Sequence, residues 1–69
     1  MRISARNVIP GKIVEVVKGA TTSHVRIEIA SGTVVTASIT NAAVDELALK
    51  VGDRAYAVIK ASDVMVGKD

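Results

Sequence analysis

The chain has 69 residues and a formal net charge of +2, and 49% of its residues are hydrophobic but only 1% are aromatic. This length allows one domain with a small core, and domains of this size usually gain stability from disulfides, a structural metal or oligomerisation. Because the sequence has no cysteine and a single histidine, His24, it excludes disulfides and thiolate metal sites and disfavours a zinc site, so we predict an oligomer.

Glycines separate short runs of β-branched residues in the first half of the chain, which indicates strands. Residues 12–18 predict a first strand with charged ends. Apolar and polar residues alternate strictly over residues 23–30, which predicts a strand with one buried face, and residues 33–39 predict the strand that returns from it. A tight turn at Ser31-Gly32 would join these two strands into a hairpin.

In the second half of the chain, the spacing of apolar residues changes from that of a strand to that of a helix. Residues 40–49 predict one short helix of about two turns, in which Thr40 or Asn41 accepts hydrogen bonds from the free amides of the first turn. The apolar face of this helix contains three residues at helical spacing, Val44, Leu47 and Ala48.

Two further strands are predicted after the helix. Residues 54–60 alternate, with Ala55, Ala57 and Ile59 on one face, and residues 64–66 form a last short strand segment. The order of elements predicts an all-β fold with one short helix, arranged as a five-stranded barrel of the oligonucleotide/oligosaccharide-binding (OB) type.

The residue types give little support for an enzyme. His24 is the only imidazole and lies in a predicted strand without an obvious partner, which is typical of an exposed strand histidine. Asp45 and Glu46 are neighbours on the predicted helix, so their carboxylates diverge into solvent. The sequence contains no phosphate loop or dinucleotide-binding motif. We therefore predict no catalytic residues.

Two segments favour anion binding. Residues 4–7 (Ser-Ala-Arg-Asn) precede the first strand, and residues 60–62 (Lys-Ala-Ser) lie where the strand from Arg54 ends. Each combines a cation, a hydroxyl and a small residue that leaves backbone amides accessible, and successive amides in a turn can form a concave anion site. Short loops of this composition are also common in proteins that bind no ligand, so the residue types alone leave both interpretations open.

These segments belong to a longer pattern. It consists of Ile3-Ser4-Ala5-Arg6-Asn7 with Gly11-Lys12, Lys18-Gly19-Ala20-Thr21-Thr22, Ser38-Ile39-Thr40, residues 49–53 and residues 57–65. In residue types and spacing this pattern resembles the molbindins, small TOBE-type proteins of the Mop family that bind molybdate and tungstate. Each segment alone is weak, whereas together they are specific and span nearly the whole chain. Pro10 and His24 depart from the family pattern, and neither lies in the two anion-binding segments.

The resemblance implies that residues 1–69 form a single molbindin domain, a barrel that exchanges strands between subunits and assembles as a homohexamer, a trimer of dimers. Molybdate or tungstate would be held by hydrogen bonds at subunit interfaces for intracellular storage, with no direct metal coordination and no further cofactor. The implied first site joins a segment from each of two subunits: Ser4, Ala5, Arg6, Lys60, Ala61 and Ser62. A second site near the threefold axis is assigned to the turn Gly19, Ala20, Thr21 and Thr22.

The sequence begins without an apolar stretch that resembles a signal peptide and has no run long enough to span a membrane, so we expect a cytoplasmic protein without membrane partners. No regulatory or ATPase module is attached, so we expect the free-standing storage form. Three alternatives stay open: a module that senses the oxyanion and docks on a partner protein, a nucleic-acid-binding barrel, and a structural oligomer without a ligand. Tyr56 is the single aromatic residue, which argues against a surface that stacks bases.

Overall fold

The computed structural model describes residues 1–30 and 32–69 of the chain. Its elements in chain order are strands β1 (Asn7–Lys18), β2 (Thr22–Ala30) and β3 (Thr33–Thr40), helix α1 (Asn41–Glu46), strand β4 (Arg54–Ile59) and a 3-10 turn (Ala61–Asp63). The four strands form one antiparallel sheet in the order β3-β2-β1-β4. The predicted all-β fold with one short helix is therefore confirmed. Of the predicted turn at Ser31-Gly32, Ser31 lies outside the described residues and Gly32 has a φ of 83°.

Strand β1 begins at Asn7, well before its predicted start, because Pro10 and Gly11 do not interrupt it. Proline is tolerated in strands that lack a neighbour on one side. Pro10 pairs with β4 alone, since β1 pairs with β2 only from Lys12 onward. Gly11 is required by a close approach of two backbones: a Cβ at this position would lie 2.6 Å from the carbonyl oxygen of Glu28 on β2.

The core lies on one face of the sheet, beneath α1. The predicted alternation along β2 is confirmed, because Ser23, Val25 and Ile27 are buried and the residues between them are exposed. The predicted inner face of β4 is also confirmed, since Ala57 is buried and its neighbours on that face are half-buried. The buried apolar residues are Ile13, Val25, Ile27, Val44 and Ala57.

Helix α1 begins where predicted and ends early. The Thr40 hydroxyl accepts a hydrogen bond from the Ala43 amide at 3.1 Å, which confirms Thr40 as the N-cap, and Val44 is buried in the core. The predicted helix face of Val44, Leu47 and Ala48 is wrong beyond Val44, because Leu47 is the C-cap and is 66% exposed, and Ala48 has a left-handed φ of 51° that ends the helix. None of the helices in the described residues is long and apolar enough to cross a membrane.

The predicted strand at residues 64–66 is not formed within the single chain. Val64, Met65 and Val66 follow the 3-10 turn outside the sheet and are exposed, the last two at 93% each. A strand needs a neighbouring edge with which to exchange hydrogen bonds. Within the described part of the chain these residues pair with none, so one chain forms four strands and does not complete the predicted five-stranded barrel.

An apolar groove remains on the inner face of the sheet. Its volume is about 730 Å³, and its lining reaches from Val35 and Ile39 on the edge strand β3 to Ala55 and Ile59 on the edge strand β4. The core residue Ile13 also lines it. Half-buried apolar residues of both edge strands are therefore partly open to solvent on this side, while the core residues between them stay buried.

Candidate anion-binding site

The two predicted anion-binding segments lie at the same end of the sheet. Asn7 pairs with Ile59 in the ladder between β1 and β4, so residues 4–6 enter the sheet where residues 60–62 leave it. The Asn7 Nδ2 atom donates a hydrogen bond to the Ile59 carbonyl oxygen at 3.2 Å and ties the two strands there. The structure thus brings together two segments of one chain, and their meeting across two subunits stays a prediction.

The segment after β4 offers unused backbone donors. Lys60 is the N-cap of the 3-10 turn, whose own hydrogen bonds of 2.9 and 3.3 Å come from the amides of the two residues after Ser62. The amides of Ala61 and Ser62 donate to no acceptor among residues 1–30 and 32–69. Both residues are exposed. Two amides and the Ser62 hydroxyl are therefore available to a ligand beside the Lys60 ammonium.

Two positively charged side chains belong to the segments at this end of the sheet. Arg6 and Lys60 are exposed, and neither forms an ion pair with any residue that the structure describes. Arg6 supplies a planar fork of donors and Lys60 a compact ammonium. The two ion pairs of the described chain involve other residues, Lys18 with Asp45 and Arg26 with Glu15.

The second predicted site lies at the other end of β1. The Gly19 amide donates to the Thr22 carbonyl oxygen at 2.7 Å and closes the turn of residues 19–22, all of which are exposed. Twelve residues of β1 separate this turn from residues 4–6. One chain therefore does not bring the two predicted sites together.

Asn41, on the first turn of α1, holds this turn in place. Its Nδ2 atom donates to the carbonyl oxygens of Gly19 at 3.0 Å and Ala20 at 3.4 Å, and its Oδ1 atom accepts from the buried Ser23 hydroxyl at 2.5 Å. The sequence indicates Asn41 only as a candidate helix cap. Because Thr40 takes that role, the Asn41 side chain is left for partners that lie 21 and 22 residues away, which no local pattern indicates.

An ion pair next to this turn also joins β1 to α1. The Lys18 Nζ atom lies 2.5 Å from the Asp45 Oδ1 atom and joins the end of β1 to α1. Both side chains are about half exposed or more, so the pair contributes about 0–1 kcal/mol to stability. Its electrostatic consequence is that the Asp45 carboxylate of α1 faces a matched cation.

The remaining titratable residues are dispersed. His24 is exposed on β2, between Val17 on β1 and Ser38 on β3, as expected of an exposed strand histidine. The described residues contain no group of three or more His, Asp or Glu side chains that could hold a metal ion.

Comparison with known proteins identifies the family. The family model described as the TOBE domain matches residues 3–66. A probable molybdenum-pterin-binding protein of Haemophilus influenzae is 49% identical over 67 residues, which cover 97% of each chain.

Solved structures agree with this match. A molybdate-binding protein from Sporomusa ovata has a TM-score of 0.92 and 35% identity, over 99% of this chain and 100% of the other. The cytoplasmic molybdate-binding protein ModG, in a form with molybdate bound, has a TM-score of 0.89 and 43% identity over 94% of this chain. The chain spans 46% of that ModG chain. This chain therefore belongs to the TOBE-domain family and, within it, to the molbindins, the small molybdenum-pterin-binding proteins of the Mop type.

Proposed function

We propose that this protein binds molybdate or tungstate between its subunits and stores the anion in the cytoplasm, without catalysing a reaction. The observation that carries the proposal is that two unpaired cations, Arg6 and Lys60, flank unused backbone amides at one end of the sheet. Two structural relatives are described as molybdate-binding, which supports the choice of anion, and ModG is described as cytoplasmic, which supports the location. Residues 1–69 act as a single domain in this proposal.

The proposed site offers hydrogen-bond donors, and it therefore selects anions that act only as hydrogen-bond acceptors. Its backbone amides, serine hydroxyls, guanidinium and ammonium belong to Ser4, Ala5, Arg6, Lys60, Ala61 and Ser62. Molybdate and tungstate are tetrahedral dianions at neutral pH, whereas phosphate carries a proton that needs an acceptor. Leaving that proton unpaired costs about 1–3 kcal/mol, or about one to two decades of affinity. This selectivity requires that the exposed Asp63 carboxylate be directed away from the anion.

Sulfate tests a different property of the site. It is a dianion without a proton, as molybdate is, so the set of donors does not distinguish the two. Sulfate is smaller, and its rejection depends on the size of the enclosed pocket. Weak sulfate binding is therefore evidence for a fitted cavity rather than for charge alone.

The site is proposed to lie between subunits because one chain leaves it open. Five of its six residues are exposed and Ala5 is half-buried. Hydrogen bonds to an anion are stronger where water is excluded, and a second copy can supply that cover. In a twofold dimer that joins these ends, residues 4–6 of each subunit face residues 60–62 of the other.

The open groove supports the proposed exchange of strands between subunits. Residues 64–66 are apolar and exposed, while the groove between β3 and β4 leaves apolar residues of both edge strands only half-buried. A tail of this kind from a second copy would add the fifth strand and complete the OB-type barrel. Three such dimers form the proposed homohexamer, with the turn of residues 19–22 near the threefold axis as the second oxyanion site.

Calorimetric titration of the assembled, anion-stripped protein tests the function. We expect tight binding of molybdate and weak binding of sulfate and phosphate, with the assembly verified by sedimentation. If an assembled oligomer binds no molybdate, the proposed function is wrong, and a structural or partner-docking role takes its place.

A further inference from the structure

The turn of residues 19–22 has its peptide groups oriented by Asn41. The carbonyl oxygens of Gly19 and Ala20 both accept from the Asn41 Nδ2 atom. In a planar trans peptide the carbonyl and the amide that share a bond point in opposite directions. The amides of Ala20 and Thr21 therefore point away from Asn41, toward the exposed side of the turn. Neither donates a hydrogen bond to an acceptor in the described part of the chain.

We propose that Asn41 is a positioning residue for the second oxyanion site. It holds two successive carbonyls on the inner side of the turn, so that the amides of Ala20 and Thr21 are left on the outer side as donors for an anion. Successive backbone amides arranged in this way bind anions. The inference rests on the proposed function, because the anion it concerns is molybdate or tungstate.

The chemistry of the Asn41 side chain suits this role. Its carboxamide has an acceptor oxygen and a donor nitrogen, and the two face different partners. The buried Ser23 hydroxyl donates to the oxygen, which directs the nitrogen toward the carbonyls of Gly19 and Ala20. An aspartate would keep the first contact and lose the second, since a carboxylate oxygen would face two carbonyl oxygens.

The surrounding contacts keep the turn in place when an anion approaches. The Asn41 amide donates to the Thr21 carbonyl oxygen at 2.9 Å, so three consecutive carbonyls of the turn are bound by one residue. Lys18 neutralises Asp45 beside the turn, which lowers the repulsion that an oxyanion would meet there. The donor pair is therefore organised before the ligand binds, and binding does not incur the cost of ordering the turn.

The test is titration of isotope-labelled protein with sodium molybdate, followed by the amide resonances of Ala20 and Thr21 and by calorimetric stoichiometry. In the natural protein both resonances shift on binding. In Asn41→Ala the molybdate concentration at which these two resonances have shifted by half rises about tenfold, because the hydrogen bonds that orient the two peptide groups are lost. Binding at the end that contains Lys60 is unchanged.

Two further variants separate positioning from stability. Asn41→Asp retains the acceptor for Ser23, so it keeps the fold, and we expect it to weaken binding at the turn as Asn41→Ala does. Thr40→Ala removes the hydroxyl that caps the same helix and leaves the backbone pairing of this residue with Thr22 in place. It should therefore lower the thermal midpoint and leave the amide shifts of Ala20 and Thr21 intact. Loss of those shifts in Thr40→Ala would assign the effect to helix stability and overturn the proposal.

The outcomes also distinguish this inference from the proposed function. If the natural protein binds molybdate and only resonances near Arg6 and Lys60 shift, the function stands and the role of Asn41 is wrong. If Asn41→Asp leaves the shifts of Ala20 and Thr21 unchanged, Asn41 does not position the turn for the anion. If no resonance responds and calorimetry detects no molybdate binding, both proposals fail.

Discussion

The two ends of β1 differ in how much of their organisation lies within one chain. At the turn of residues 19–22, Asn41 binds the backbone from α1 and Lys18 is paired with Asp45. At the other end, Arg6 and Lys60 have no paired carboxylate in the described residues. We call residues 19–22 the braced end, because contacts within the subunit hold this turn in place. We call residues 4–6 and 60–62 the open end, because it has excess positive charge and needs other groups to complete a binding site.

This contrast explains why the open end is proposed as an interface. A site with unbalanced cations attracts anions, but it excludes water only when something covers it. A braced turn needs no partner to orient its amides. We therefore expect ligand binding at the open end to depend on assembly, and ligand binding at the turn, which is proposed to lie near the threefold axis, to depend also on contacts inside the subunit.

The largest expected effect is stabilisation of the assembly by its ligand. A ligand that binds only the assembled form at one hundred times its Kd stabilises that form by about 2.7 kcal/mol. Molybdate should therefore raise the thermal midpoint of the oligomer by several degrees, as measured by calorimetry, with sulfate at the same ionic strength as the control. An unchanged midpoint at saturating, independently verified binding would contradict an interfacial site.

Lys60→Ala should weaken molybdate binding at the open end with little change in fold. Hydrogen bonds to charged groups contribute about 1.5–3 kcal/mol, so the loss is about ten- to a hundredfold in affinity. Lys60 is exposed and follows the last residue of β4, so its side chain supports no core contact. Lys68→Ala removes the same charge from the exposed tail and should bind as the natural protein does. Full affinity in Lys60→Ala would remove this residue from the site.

Gly11→Ala should damage the strand that joins the two ends. The added Cβ would lie 2.6 Å from the Glu28 carbonyl oxygen and 2.7 Å from the Ile27 Cγ2 atom. Crowding of this kind costs about 1–3 kcal/mol, measured as the change in free energy of unfolding by denaturant titration. Gly67→Ala is the matched control, because a Cβ there meets nothing within 4 Å. Equal stability of the two variants would mean that β1 and β2 do not approach so closely.

Asp45→Asn should have the smallest effect and acts only on the braced end. Removing the carboxylate frees Lys18 to face the anion, and an exposed pair is worth about 0–1 kcal/mol, so affinity at the turn should rise by up to about fivefold. Glu46→Gln removes the neighbouring charge without breaking the ion pair and serves as the control. Binding is measured by titration at low salt. Weaker binding in Asp45→Asn would show that the ion pair stabilises the turn, and not that Asp45 keeps the Lys18 charge from the anion.

Much of the fold was predictable because it depends on local pattern. The alternation in β2 predicted which of its residues are buried, and Thr40 was among the two residues expected to cap α1. The prediction failed for Leu47 because three apolar residues at helical spacing do not reveal where a short helix ends. The strand at residues 64–66 stays a prediction, because an apolar, β-prone segment needs a neighbouring edge, and the described part of one chain does not provide it.

The anion-binding segments were predictable as residue types, but their geometry was not. The sequence by itself determined the alternation of the strands, the helix start and the clustering of cations with hydroxyls and small residues, since these depend on near neighbours. Only the tertiary structure decided that residues 4–6 and 60–62 lie at one end of the sheet, and that Asn41 holds the turn of residues 19–22. Both depend on pairings between distant residues, and the register of a sheet sets such pairings for the whole chain at once.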